Sequence, residues 1–154
     1  MVGVRLRVRE AKPEDALRLS ELYNQLVNNP AVNVEPEQIQ ALYDDARSKL
    51  FVCGYQGNVV GSALVALCSD VMFRKQPFAV VENVIVDVAA RGLGIGTALF
   101  QAIEIFCVST NCSKIMLLSS VQRSDSHTFF EKQGFKGSVK RGFVKYRSAF
   151  SSAE

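Results

Sequence analysis

The chain has 154 residues, 48% of them apolar and 21% charged, with a net charge of +3. That is the size and balance of one soluble domain with a core, and it leaves no room for internal repeats, low-complexity tracts or a composition break marking a linker. No stretch approaches the roughly 18 apolar residues of a membrane span, charges interrupt the opening MVGVRLRVRE where a leader would need an apolar run, and the scattered cations suit a small anionic ligand better than a duplex.

VRLRVREA alternates apolar and basic residues through Val4, Leu6 and Val8, the period of a half-buried strand. KPEDALRLSELYNQL follows with a proline and two acids at a helix start and Leu19, Leu22, Tyr23 and Leu26 at helical spacing. After the polar NNPAVN, EPEQIQALYDDA repeats the device, with Pro36 at a start position and Ile39, Leu42 and Tyr43 on one face. LFVCGY and VVGSALVAL read as two strands joined by QGN, a loop of the kind hairpins favour.

CSDVMFRKQPF is an irregular link, and its Arg74 and Lys75 are read first as solvated surface cations. AVVENVIVD is then almost continuously apolar, as a strand in the middle of a sheet should be. Beyond RGLGIG, a helix carries Ile95, Leu99, Ala102, Ile103 and Phe106 on one face, and KIMLLSS reads as another buried strand. Strand, helix, strand in that order predicts a right-handed parallel crossover. SDSHTFFEKQGF is a short helix ended at Gly134, GFVKYR closes the fold as a strand, and SAFSSAE is a loose tail.

Four cysteines, Cys53, Cys68, Cys107 and Cys112, form no C-x-x-C pair, and two lie inside apolar runs. This pattern predicts a reducing, cytoplasmic setting without a disulfide frame. No group of His, Cys, Asp and Glu has the spacing of a metal site, and His127, the single histidine, reads as a surface residue.

RGLGIGTALF combines three glycines with the exit of a buried strand and the start of a helix. Such a turn directs several N–H groups at one point, where the helix dipole adds partial positive charge, and Arg91 contributes a fixed cation. Glycines at 92, 94 and 96 allow positive φ and remove Cβ atoms that would hold an anion off the backbone. The dinucleotide fingerprint fails because Leu99 stands where its third glycine belongs, and the Walker lysine is absent.

The combination VIV, RGLGIG, TALFQAIEIF, followed by CSKIMLLSS and HTFFEKQGF, resembles the GNAT superfamily of acetyl-coenzyme A-dependent N-acetyltransferases. The likeness runs from about residue 4 to 147, since RVREAKPEDALRL and GNVVGSALV are also similar to the family's opening. It implies an α/β fold with a twisted mixed sheet of about six to seven strands and helices on both faces. Residues 1–154 would form one domain with a flexible tail from 148 to 154.

The resemblance implies that the backbone of Val84, Ile85 and Val86 pairs with the pantetheine arm of acetyl-coenzyme A. Arg91, Gly92, Leu93, Gly94, Ile95, Gly96 and Thr97 would wrap its pyrophosphate, and backbone N–H groups near Asn83 and Val84 would stabilise the oxyanion. The acceptor would be a primary amine on a small molecule or a peptide N-terminus, with neither nucleic acid nor membrane as partner; homodimers are common in the family.

Glu82 interrupts an apolar run. If it shares a strand face with Val84 and Val86 it is partly desolvated, which suits a general base for an amine that arrives as ammonium. Family members frequently carry a tyrosine where this chain has Phe130, leaving Ser126, Tyr146 or solvent to protonate the departing thiolate. The rival reading is a coenzyme A-responsive sensor that kept the binding site and lost catalysis.

Overall fold

The computed structural model describes residues 5–152, which group into two compact units dividing between Leu117 and Leu118. The first unit is built on a five-stranded sheet: β1 (Leu6–Glu10), β2 (Ser48–Tyr55), β3 (Asn58–Cys68), β4 (Phe78–Val86) and β5 (Ile115–Leu117), in that spatial order. The first four strands are antiparallel neighbours and β5 pairs parallel to β4. Val4 lies outside the described residues.

Turn chemistry explains the meander. Gln56 and Gly57 both adopt positive φ, 50° and 81°, so β2 and β3 are joined by the two-residue turn whose twist matches that of the strands. The β4 to β5 link is the expected crossover: a 3-10 turn at Val88–Ala90, then helix α3 (Ile95–Ser109).

Strand alternation sends successive side chains to opposite faces, and each face receives its own helices. On one face Leu50, Val52, Val59 and Ile85 pack with Leu19 and Leu22 of α1 (Ala16–Val27) and Ile39 of α2 (Pro36–Asp44). On the other, Cys53 and Val60 pack with Ile95 and Leu99 of α3, and Phe51 and Val86 join them. Leu19, Leu22, Leu99 and Ile103 are fully buried, each burial contributing about 1.5–3 kcal/mol. The helical spacing in the sequence thus identified the residues that seat α1 and α3 on the sheet.

Among its described residues the second unit contains one α-helix, α4 (Ser124–Lys132). Gly134, at φ 95°, ends it with a Schellman turn, in which the Phe135 N–H donates to the Phe130 carbonyl and the Gly134 N–H to the Glu131 carbonyl. The Phe130 and Phe135 rings meet edge to face at 6.2 Å across this turn.

Two expectations are corrected. Among the described residues the sheet has five strands rather than six or seven, because GFVKYR (142–147) is not a strand: the described part of its unit holds no other strand to pair with, and its residues are exposed. The strand expected over KIMLLSS is confined to Ile115–Leu117 and is half-buried, as befits a sheet edge. The tail includes a 3-10 turn at Arg147–Ala149, and residues 153 and 154 lie outside the described part.

Candidate active site

The site is organised by an irregularity in β4. Ser62 and Leu64 of β3 are separated by one residue, whereas their partners Ile85 and Glu82 are separated by two, so β4 carries a bulge at Asn83–Val84. Asn83 takes up the extra length at φ 56°, a left-handed conformation that asparagine tolerates better than most residues.

One extra residue reverses which backbone groups face which neighbour. Before the bulge, the Ala79 N–H donates toward β5, to the Lys114 carbonyl at 3.0 Å. After it, the Asp87 N–H donates to the β3 side, to the Val60 carbonyl at 2.7 Å. By alternation Val84 and Val86 turn their N–H and C=O groups to the β5 side. Pairing with β5 ends at Val81 and Leu117, and among the described residues no strand takes up the edge beyond. An edge of this kind is a template for an extended ligand.

The same reversal corrects the reading of Glu82. It pairs opposite Leu64 and shares the face of Ile85 rather than that of Val86, and its side chain is exposed instead of partly desolvated. Nothing in the sequence announces the bulge beyond an asparagine inside an apolar run.

After the 3-10 turn that follows β4 the chain passes through Arg91, Gly92, Leu93 and Gly94 into α3. Gly92 and Gly94 adopt φ of 81° and 83°, and a Cβ on either would meet nothing within 4 Å, so the space before the turn is open. Gly94 is the N-cap of α3 and provides no side-chain acceptor, a helix start of the kind that suits an external anion. Gly96 differs from the expectation: it lies within the first turn of α3 and is not in the positive-φ region. Arg91 is exposed beside this turn, and Ile95 is buried in the core.

The approach to the turn is held by residues that were read only as part of a packing helix or an apolar run. From α1, Arg18 donates through Nε to the Val59 carbonyl at 2.8 Å and through Nη2 to the Asp87 carboxylate. Gln25 donates to Asp87 at 3.3 Å and accepts the Val88 N–H at 3.1 Å. The Ala89 N–H and the Arg18 guanidinium hold the Asp87 carboxyl below the usual carboxylate range. Arg18 and Gln25 are more than 60 residues from Asp87 and Val88 in sequence, and no local pattern could have joined them.

Ser126, His127, Phe130 and Tyr146 belong to the second unit. Ser126 is half-buried on α4, Tyr146 is exposed, and the His127 ring bonds the Ser120 carbonyl at 2.8 Å, a local structural role. Phe130 serves the Schellman contact described above, which needs a ring and no hydroxyl.

Residues 18–135 match the Acetyltransferase (GNAT) family. The chain belongs to this family. Solved structures agree: a protein of Agrobacterium tumefaciens str. C58, named as a candidate acetyltransferase, is 28% identical with a TM-score of 0.82, covering 92% of this chain and 99% of its own. An acetyltransferase of Trypanosoma brucei is 28% identical with a TM-score of 0.77, over 92% of this chain and 100% of its own. Glucosamine-6-phosphate N-acetyltransferase of Arabidopsis thaliana, at 21% identity and a TM-score of 0.80 over 93% of this chain and 99% of its own, shares the fold. No curated protein matches significantly. This GNAT protein is an acyltransferase of a family that generally uses acetyl-coenzyme A. Among the described residues no helix is long and apolar enough to cross a membrane, and no group of three or more His, Cys, Asp or Glu side chains could hold a metal ion.

Proposed function

We propose that this acetyltransferase transfers an acetyl group from acetyl-coenzyme A to the primary amine of a small molecule, by direct attack. The observation that carries the reading is the continuity between the unpaired β4 edge at Val84–Val86 and the open glycine turn at the head of α3. An extended amide-bearing arm suits the edge, and a pyrophosphate suits the turn. Val84, Ile85 and Val86 would line the arm, while Arg91 and the backbone from Gly92 to Thr97 would hold the phosphates.

Bound acetyl-coenzyme A supplies an acyl group activated as a thioester. The protein's part is to remove a proton from the incoming ammonium and to stabilise charge on the carbonyl oxygen. Glu82 is the base in this reading, and its exposure favours proton removal through a bridging water. Backbone N–H groups at Asn83 and Val84, set by the bulge, are the oxyanion donors. Solvent is the proton source for the departing thiolate in this reading, a tolerable leaving group near neutral pH.

The test is release of free thiol from acetyl-coenzyme A across a panel of amino sugars, aminophosphonates, polyamines and peptide N-termini. Turnover with at least one amine is expected. Thermal stabilisation by coenzyme A without thiol release from any amine would instead favour a sensor, the role that the missing hydroxyl at Phe130 would permit.

A further inference from the structure

Helix α3 ends as α4 does. Asn111, at φ 57°, reverses the chain; the Cys112 N–H donates to the Cys107 carbonyl at 2.9 Å and the Asn111 N–H to the Val108 carbonyl at 3.1 Å. Those two bonds define a Schellman turn, whose third element is a side-chain contact between the residues joined by the longer bond. In α4 that contact is Phe130 on Phe135; in α3 the same positions are Cys107 and Cys112.

The turn therefore holds two thiols together by backbone hydrogen bonding, although the C-x-x-x-x-C spacing is unremarkable as sequence. With 2.9 Å between the Cys112 nitrogen and the Cys107 oxygen, covalent geometry keeps the two Cα atoms within about 7 Å, near the upper end of the range a disulfide bridges. The Cys112 side chain is within hydrogen-bonding range of the Cys107 thiol, and it also lies 3.4 Å from the Thr110 hydroxyl. A cleft of about 360 Å3 is lined by both cysteines together with Glu104, Asn111 and Lys114 among others. Cys107 is buried and Cys112 half-buried, so a reagent entering the cleft reaches Cys112 first.

We propose that Cys107 and Cys112 form a redox-active dithiol, closed to an intramolecular disulfide by exchange with a low-molecular-weight disulfide such as glutathione disulfide. The Cys112 thiolate attacks one sulfur of the reagent, forming a mixed disulfide and expelling one thiolate. Cys107 then gives its proton to a departing thiolate or to water, attacks the Cys112 sulfur and expels the second. Two protein thiols are oxidised to one disulfide, and the reagent is reduced to two thiols. Burial, with Cys112 alongside, pushes the Cys107 thiol up to about 12, so the closing step draws on a small thiolate fraction and follows the mixed disulfide. The pair lies at the far end of α3 from the glycine turn, 15 residues or about 20 Å along the axis, so closing it need not touch the proposed cofactor site.

The experiment incubates the folded full chain with glutathione disulfide, blocks remaining thiols with N-ethylmaleimide and maps the tryptic segment between Arg91 and Lys114, which contains both cysteines. Expected at the end point is a segment two hydrogens lighter than the reduced form, free of label and glutathione, and restored by dithiothreitol. Cys107→Ser should hold glutathione stably on Cys112. A wild-type segment that keeps glutathione at either cysteine, or takes label at both, overturns the proposal.

Discussion

Asn83 decides what Glu82 can do. Without the bulge Glu82 would share a face with Val86; with it, the carboxylate is exposed on the α1 face beside Ile85. An exposed carboxylate is in contact with water, so its value to catalysis lies in position. Replacing Glu82 with Gln removes the proton acceptor while keeping the shape. In steady-state thiol-release assays kcat should fall by about 10²-fold or more while KM for acetyl-coenzyme A stays within about twofold, the pattern of a lost base. An unchanged kcat would remove Glu82 from the mechanism. The candidate at this position was legible because a carboxylate inside an apolar run is conspicuous; its face was not, because a bulge is a property of the strand pair.

At the scale of elements, the unit formed by β4, the glycine turn and α3 was readable almost throughout. Its cues are local: a continuous apolar run, clustered glycines, then helical spacing through Ile95, Leu99 and Ile103. GFVKYR misled because β-forming composition is only half of a strand, and the other half is a partner. The Arg18, Gln25 and Asp87 clamp was invisible for the related reason that tertiary hydrogen bonds leave no periodic trace. Within the turn, Gly94→Ala tests backbone conformation directly, since the added methyl has open space and only the φ of 83° opposes it. The cost should be about 1–2 kcal/mol of stability, seen as a modest fall in Tm by calorimetry. If the proposed pyrophosphate site is correct, the Tm rise on adding coenzyme A should shrink markedly, because the new Cβ enters the open space before the turn.

At the scale of the molecule, two acids fasten α1 to the sheet. Asp15, just before the helix, accepts both Arg9 guanidinium nitrogens at 2.8 and 2.9 Å and the Lys12 N–H at 2.8 Å. Asp87 receives Arg18 from within the helix. The Arg9 bond above all holds the Asp15 carboxyl below its ordinary value, and Asp87 is shifted in the same direction. A depressed folded-state value means that the unfolded chain binds protons first as the solution is acidified. The stabilisation is therefore complete above the ordinary aspartate value of about 4 and is lost as pH falls through the lower folded values. Tm measured against pH should drop on the acid side below about pH 4, and the Asp15→Asn, Asp87→Asn double variant should show a flatter acid limb from a lower plateau. A variant whose acid limb matches the wild type would show that these carboxylates do not govern it.

The parallel seam between β4 and β5 has three paired positions, and past Val81 β4 keeps its β3 neighbour but has no β5 partner. A protein built this way leaves its last rungs to be supplied from outside. A ligand laid along Val84 and Val86 would then act as a structural member as well as a reactant, and each tenfold excess over its Kd would add about 1.4 kcal/mol to the stability of the fold.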